Sequence, residues 1–208
     1  MHTLTLKAGD LMTKADIRAS EENTRSEKQE NEKSFLETGK RFAKSVVKYM
    51  CSAQLRMKLK DTGSSIKCEG RIKISGSKNI KIGDNCRFGK NVQLHTDGRG
   101  YIHIGDNVKI GNGVKIISKF NVTIEDNTFI GDNVTIYDIL YKGGGEFSED
   151  DTKPVYIGKD VWIGRDTQIH AGVTIGHGAT ITAKSSVMRS IPPEMIAGGS
   201  PARVIRER

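Results

Sequence analysis

From Lys153 to Arg208 the aliphatic positions fall at Ile157, Ile163, Ile169, Ile175, Ile181 and Val187, one in every six residues, and a glycine follows Ile157, Ile163 and Ile175. A period of six fits neither a 3.6-residue helix, around which the apolar residue would wander, nor a hairpin meander. It fits a unit of one short strand and one turn. Three such units close a triangular coil of about 18 residues, and stacked coils bring every aliphatic of the series into one axial core. Positions two before each aliphatic also face inward and must be slim; Val161, Thr167, Val173, Ala179 and Ser185 satisfy this. Gly, Asp and Asn take the corners, where positive φ is needed and side chains can bond the turn backbone.

The same series extends upstream through Ile66, Ile72, Ile74, Ile80, Ile82, Phe88, Leu94, Ile102, Ile104, Ile110, Ile116, Ile124, Ile130 and Ile136, with Ile-Gly-Asp-Asn at Ile82, Ile104 and Ile130. Early coils are irregular around His95 to Tyr101, and the register slips once near Lys119. The period fails over residues 138–154, a Gly-rich acidic stretch that must leave the solenoid as an excursion loop. Pro192-Pro193 ends the repeats, because two prolines remove donors that another strand needs. The predicted fold is an all-β solenoid over residues 63–208, closing in a basic tail.

Residues 1–62 read differently. The first 33 are polar and acidic, an arm unable to offset its ordering entropy by burial. Over 34–60, Phe35, Phe42, Val46, Tyr49, Met50, Ala53, Met57 and Leu59 recur at helical spacing opposite a basic face. That amphipathic helix suits three roles: a cap on the open end of the solenoid, peripheral contact with an anionic membrane surface, or a contact between subunits.

Composition adds three constraints. Aromatics make up only 6% of the chain, so the core must be built from Ile, Val and Ala, and 23 glycines serve the corners. The net charge of +8 arises from 33 basic and 25 acidic residues spread through repeats and tail, without the aromatic interleaving of a nucleic-acid module. A phosphorylated cofactor or an anionic saccharide is the expected partner, and no nucleic acid. Cys51, Cys68 and Cys86 lack metal or redox spacing and read as reduced thiols of a cytoplasmic protein. No apolar segment suits a signal peptide or a membrane span.

The repeats, the excursion loop, PVYIGKDVWIG, IHAGVTIGHGATI and the ending SIPPEMIAGGSPARVIRE together resemble the left-handed β-helix hexapeptide acyltransferases, within them the sugar O-acetyltransferases typified by galactoside and maltose acetyltransferase. The resemblance covers roughly Ile66 to Arg206. It implies a left-handed parallel β-helix, a homotrimer, and acetyl-CoA as acyl donor in the groove between neighbouring solenoids, with no metal. It places Trp162, Arg165, Ala183, Arg189, Arg203 and Arg206 beside the cofactor. Their chemistry agrees: guanidiniums suit its phosphates, a small residue lets pantetheine approach a strand, and an indole can wall the reacting end.

O-acetylation needs a base for the acceptor hydroxyl, usually a histidine. The resemblance puts that histidine early in the excursion, where this chain has Tyr141 or Lys142. His95, which follows an inward Leu94 and opens an irregular break, is a substitute base; Tyr141 and Lys142 would need a lowered pKa to serve. His103 reads as outward on a strand, and His170 and His177 as corner residues. Asp97 matches an acidic acceptor residue of the relatives. Gly89 stands where they carry an acceptor-binding asparagine, with Asn91 close by.

The expected function is transfer of acetyl from acetyl-CoA to a saccharide or nucleotide sugar in surface-polysaccharide assembly. One alternative is a catalytically weak or inactive binding scaffold that lost its base. The other is a metal protein like the γ-class carbonic anhydrases, drawing ligands from His95, His170 and His177. The acceptor has no readable code.

Overall fold

The computed structural model describes residues 33–43, 45, 46, 53, 55, 57–59, 61–140 and 151–208. Tyr49, Met50, Tyr141 and Lys142 therefore lie outside the described residues. The chain divides into two compact units, Met1–Val46 and Val47–Arg208. In the first, residues 33–43 are helical and exposed, Phe35 and Phe42 among them. Among the described residues no helix is long and apolar enough to cross a membrane.

In the second unit a final helical turn brings Leu59 N–H to the Leu55 carbonyl at 3.0 Å, and both leucines join the core. Spaced four apart, they lie on one side of the turn. Met57, expected on the inward stripe, lies between them in sequence, points the other way and is 80% exposed.

The remainder is a parallel solenoid of six three-strand coils, and its three faces are hydrogen-bonded sheets running along the axis. Face A holds Asp61–Thr62, Ile80–Ile82, Tyr101–Ile104, Asn121–Ile124, Val155–Ile157 and Thr174–Ile175. Face B holds Lys67–Cys68, Arg87–Phe88, Lys109–Ile110, Phe129–Ile130, Trp162–Ile163 and Thr180–Ile181. It is extended by Met195–Gly199 and then, antiparallel, by Ala202–Glu207. Face C holds Ile72–Ser75, Val92–Thr96, Lys115–Ser118, Thr135–Tyr137, Gln168–Ile169 and Ser186–Val187.

Ile157, Ile163, Ile169, Ile175, Ile181 and Val187 are all completely buried, and the slim positions Val161, Thr167, Val173, Ala179 and Ser185 are buried beside them. Each aliphatic pairs with its counterpart one coil on, as in Ile130↔Ile163↔Ile181. Burial of one such side chain contributes roughly 1.5–3 kcal/mol, which no isolated coil could obtain.

The Ile-Gly-Asp-Asn motif explains itself at the A–B corner. Ile82 points inward, and Asn85 accepts the left-handed backbone at φ 54. Asp84 accepts Ser64 N–H at 2.6 Å, Asp106 accepts Asp84 N–H at 2.7 Å, and Asp126 accepts Asp106 N–H at 2.9 Å. Gly83 keeps this ladder close: a Cβ there would meet Gly105 backbone carbon at 2.7 Å. Lys159 closes the series on Asp126 at 2.9 Å; the Asp106 N–H and then Lys159 hold that carboxyl below its ordinary range.

Early irregularity has one location. Paired residues on face B are 20 positions apart at Lys67↔Arg87, 22 at Arg87↔Lys109, 20 at Lys109↔Phe129, 33 at Phe129↔Trp162 and 18 at Trp162↔Thr180. Within each coil the inward residues keep their spacing of six, as in Ile104, Ile110 and Ile116. Every extra residue is therefore inserted at the C–A corner. The insertions stack into a ledge: Asn79 Nδ2 donates to Gly98 O at 2.7 Å, and Thr96 Oγ1 to Gly76 O at 2.8 Å.

The excursion rises from the same corner. Its root is fixed by Asp138, fully buried, whose carboxylate accepts Ser118 Oγ–H at 2.7 Å and the N–H groups of Lys119 and Phe120 at 2.8 and 2.9 Å. An Ile139↔Thr152 antiparallel bridge closes the neck, and Lys153 N–H returns to Asp138 O at 2.9 Å.

Candidate functional site

The B–C corner carries part of the expected cofactor set. The ladder position of this corner is occupied by Asn112 and Asp132 in the middle coils, where Asp132 accepts Asn112 N–H at 2.6 Å. In the next two coils it becomes Arg165 and Ala183, both exposed. They still stack, since a Cβ on Gly164 would meet Ala183 N at 2.4 Å and Lys184 N–H bonds Arg165 O at 2.8 Å. The ladder carboxylate is thus replaced by a cation and a small residue where the corner no longer uses it. Arg165 lies 3.8 Å from Asp166 in an exposed pair, an interaction worth about 0–1 kcal/mol, so an anionic ligand could draw it away.

Arg203 and Arg206 lie on the strand that ends face B, paired opposite Gly198 and Ile196. Gly198 packs against Thr182, next to Ala183, which sets Arg203 over the same corner. Arg206 belongs to an outward row that runs along face B through Phe129, Trp162, Thr180 and Ile196. Trp162 is half exposed and stacks on Phe129 with centroids 4.1 Å apart. Farther along the row, Lys109, Arg87 and Lys67 join this pair to line an open groove of about 490 Å³. Arg189, on the turn after Ser186–Val187, is exposed at the C–A corner, away from the other five.

Residues expected to handle the acceptor divide between two corners. Asn91 is a left-handed B–C corner residue at φ 57, so its type is accounted for by the turn. His95 is exposed near the far end of strand Val92–Thr96, and Asp97 follows on the ledge, 3.9 Å from Lys119. Asn91 and Asp97 therefore stand at opposite ends of one strand. His103 is outward on face A, in the row with Lys81 and Thr123.

His170 is not a bland corner residue. Its Nδ1 lies 2.6 Å from Tyr137 Oη and its Nε2 2.9 Å from Ser186 Oγ, on the outer surface of face C. The Tyr137 ring meets the imidazole edge-on with centroids 4.9 Å apart. Burial lowers the His170 pKa below its ordinary value, which keeps the ring neutral at neutral pH. The residue pairs Ser75↔His95, His95↔Ile117 and Ile117↔Tyr137 put His95 in the same outward row, two strands from Tyr137. The sequence carried a signal for Tyr137 and His170, each one position after an inward aliphatic of face C, but only once the C–A insertions are counted correctly.

The histidines do not assemble a metal centre. His177 is exposed at the A–B corner, and two strands separate His95 from His170. Among the described residues no group of three or more His, Cys, Asp or Glu could hold a metal ion. Within one chain, then, His95, His170 and His177 do not come together. Cys68 and Cys86 are both buried, and burial pushes the Cys86 thiol up to about 11, well away from a nucleophile's range.

Residues 154–188 match the family described as bacterial transferase hexapeptide (six repeats), and residues 79–117 and 121–139 match the hexapeptide repeat of succinyl-transferase. Galactoside O-acetyltransferase of Escherichia coli K12 is 42% identical over 113 residues, covering 51% of this chain and 54% of its own. The chain thus spans about half the length of that relative. The putative lipopolysaccharide biosynthesis O-acetyl transferase WbbJ of the same organism is 32% identical over 140 residues, covering 62% of this chain and 71% of its own. Among solved structures, galactoside acetyltransferase in complex with coenzyme A superposes with a TM-score of 0.54 at 30% identity, over 75% of this chain and 68% of that one. The repeats, the parallel three-sheet coil and these relatives agree: the chain is a left-handed parallel β-helix and belongs to the hexapeptide-repeat acyltransferase family.

Proposed function

We propose that the protein transfers acetyl from acetyl-CoA to a hydroxyl of a saccharide or nucleotide sugar in surface-polysaccharide assembly, in the cytoplasm. The observation that carries this reading is the B–C corner. There the turn's own ladder residue gives way to Arg165 and Ala183 in successive coils, with Arg203 over them and Trp162 on the adjoining face. A cation, a gap, another cation and an exposed indole along one open edge suit a long, phosphorylated thioester lying against strand backbone. The coenzyme A bound in the solved galactoside acetyltransferase supports the choice of donor.

Arg189, His95 and the root of the excursion lie on face C or its far corner, and Trp162 and Arg206 lie on face B. Two faces of a triangular prism point apart, so one ligand cannot span both on a single solenoid. A homotrimer, setting face B of one copy against face C of the next, completes the site.

The chain's single tryptophan is Trp162, so its fluorescence reports this surface alone. Coenzyme A should change that emission saturably, and Arg203→Ala with Arg206→Ala should weaken the binding. Thiol release from acetyl-CoA across a panel of sugars tests the transfer. Saturable binding without turnover on any acceptor would favour the non-catalytic scaffold instead.

A further inference from the structure

The excursion carries Tyr141 and Lys142 where a histidine base is expected, yet the strand leading into it ends in a different proton-handling group. Tyr137 immediately precedes Asp138, the buried anchor of the excursion root, so its hydroxyl lies on face C beside that root. We propose that Tyr137 is the catalytic proton acceptor of this enzyme, with His170 behind it as the proton store and Ser186 fixing the His170 ring. The proposal rests on the acetyl-transfer reading above and supplies the base that reading lacks.

The geometry supports a relay. Tyr137 Oη is 2.6 Å from Nδ1 and 3.2 Å from Nε2, nearer to Nδ1, and Ser186 Oγ lies 2.9 Å from Nε2. With Nε2–H donated to Ser186, Nδ1 is left as acceptor for the phenolic proton. As the acceptor hydroxyl attacks the acetyl carbonyl carbon, its proton passes to Tyr137 Oη while the Tyr137 proton moves to His170 Nδ1. The new C–O bond forms, the C–S bond breaks, and the departing thiolate takes the proton back along the same path. The products are the acetyl ester and coenzyme A, and both side chains return to their starting states.

Partial burial of the ring suits a temporary store, because it disfavours the imidazolium and so returns the proton promptly. Among the described residues the ring nitrogens bond hydroxyls, Tyr137 and Ser186, and no carboxylate, in contrast to a histidine held permanently charged. His95 is two strands away along the same row, about 10 Å at the usual strand spacing, too far to share the proton directly. That distance suits it to contact the acceptor instead.

The test uses the full chain, acetyl-CoA and the sugar panel, with kcat and KM followed against pH. Tyr137→Phe and His170→Gln should each lower kcat by about 10²-fold, the usual contribution of a positioned base, while Trp162 fluorescence shows unchanged coenzyme A binding. In the wild type, activity should fall only as pH drops below the ordinary histidine range, and this acid limb should vanish in His170→Gln. Ser186→Ala should move the limb without abolishing activity, a result that loss of packing alone would not give. Tyr156→Phe, on face A, serves as the control that keeps full activity. A Tyr137→Phe protein with wild-type kcat and an unchanged acid limb overturns the proposal. If His170→Gln fails to fold, Tyr137→Phe and Ser186→Ala decide the matter. A wild type that turns over alongside an equally active Tyr137→Phe refutes the relay alone, whereas a wild type that binds coenzyme A and cleaves no thioester refutes the transfer reading and the relay with it.

Discussion

Replacing Asp138 tests whether the excursion is anchored as the structure implies. Its carboxylate takes three hydrogen bonds, from the Ser118 hydroxyl and the N–H groups of Lys119 and Phe120, and the side chain is fully buried. Asp138→Ala removes the acceptor of the Lys119 and Phe120 N–H groups, while the Ser118 hydroxyl can still donate to Tyr101 O at 3.0 Å; at about 1 kcal/mol as a lower figure for each lost bond, the loss is at least about 2 kcal/mol. Asp138→Asn keeps one acceptor oxygen but turns an NH2 group toward a donor, so its cost should be about 1–2 kcal/mol. Stability should be read by urea titration with two probes, far-UV circular dichroism for the whole solenoid and fluorescence of Trp162, which sits in the coil that follows the excursion. Because each coil contacts mainly its neighbours, the fluorescence transition should move to lower urea at least as far as the dichroism transition. An Asp138→Ala protein whose Trp162 midpoint stays at the wild-type value, or one less destabilised than Asp138→Asn, would refute the anchoring argument.

Other outcomes follow from particular contacts. Gly83→Ala should destabilise by about 1–3 kcal/mol in urea titration, since its Cβ would meet Gly105 backbone 2.7 Å away and a strand must move. Asp126, held low by Asp106 N–H and by Lys159, contributes stability that is fully present above the ordinary carboxylate range and is lost as pH falls through that range toward its depressed value. Asp126→Asn should therefore lower Tm modestly in the neutral region and flatten the acid limb of a Tm-against-pH profile, the two proteins converging at low pH. The exposed Phe35, Leu36 and Phe42 of the first unit, together with Lys40 and Arg41, predict flotation with anionic but not neutral liposomes; a protein that stays at the bottom with both is not using this helix on membranes.

The core was legible because a six-residue period is a direct consequence of strand and turn geometry, and Ile157 through Val187 obey it without interruption. The corners were legible for the same reason, since most positive-φ positions are Gly, Asn or Asp and the ladder beside them uses Asp and Asn, although Lys184 and Glu194 also take positive φ. The end cap was less so: two leucines four apart, Leu55 and Leu59, were enough to close the coil, and nothing in the apolar count favours them over Met57. The face C cluster escaped detection because lateral neighbours on a solenoid are separated by 18, 20, 22 or 33 residues depending on what is inserted between coils. Tyr137 and His170 are 33 apart, so no local motif announces them.

The concentration of insertions at the C–A corner has a physical cause that bears on the chemistry. Faces A and B each run unbroken through all six coils, and a residue added within a strand would reverse inward and outward positions for the rest of that coil. A residue added at a corner avoids this, and once one coil widens there, the next insertion finds ready partners, as Asn79 does on Gly98 and Lys119 on Asp138. The corner that can grow is then the one place where side chains can be placed without disturbing the core. Tyr137 and His170 adjoin that corner on a face still held in strict register, Thr135↔Gln168 and Ile136↔Ile169. A proton relay built there inherits the rigidity of the coils, whereas a base carried out on the excursion would depend on the loop. On this view Tyr141 and Lys142 could change because the proton had already been given a place on the strand.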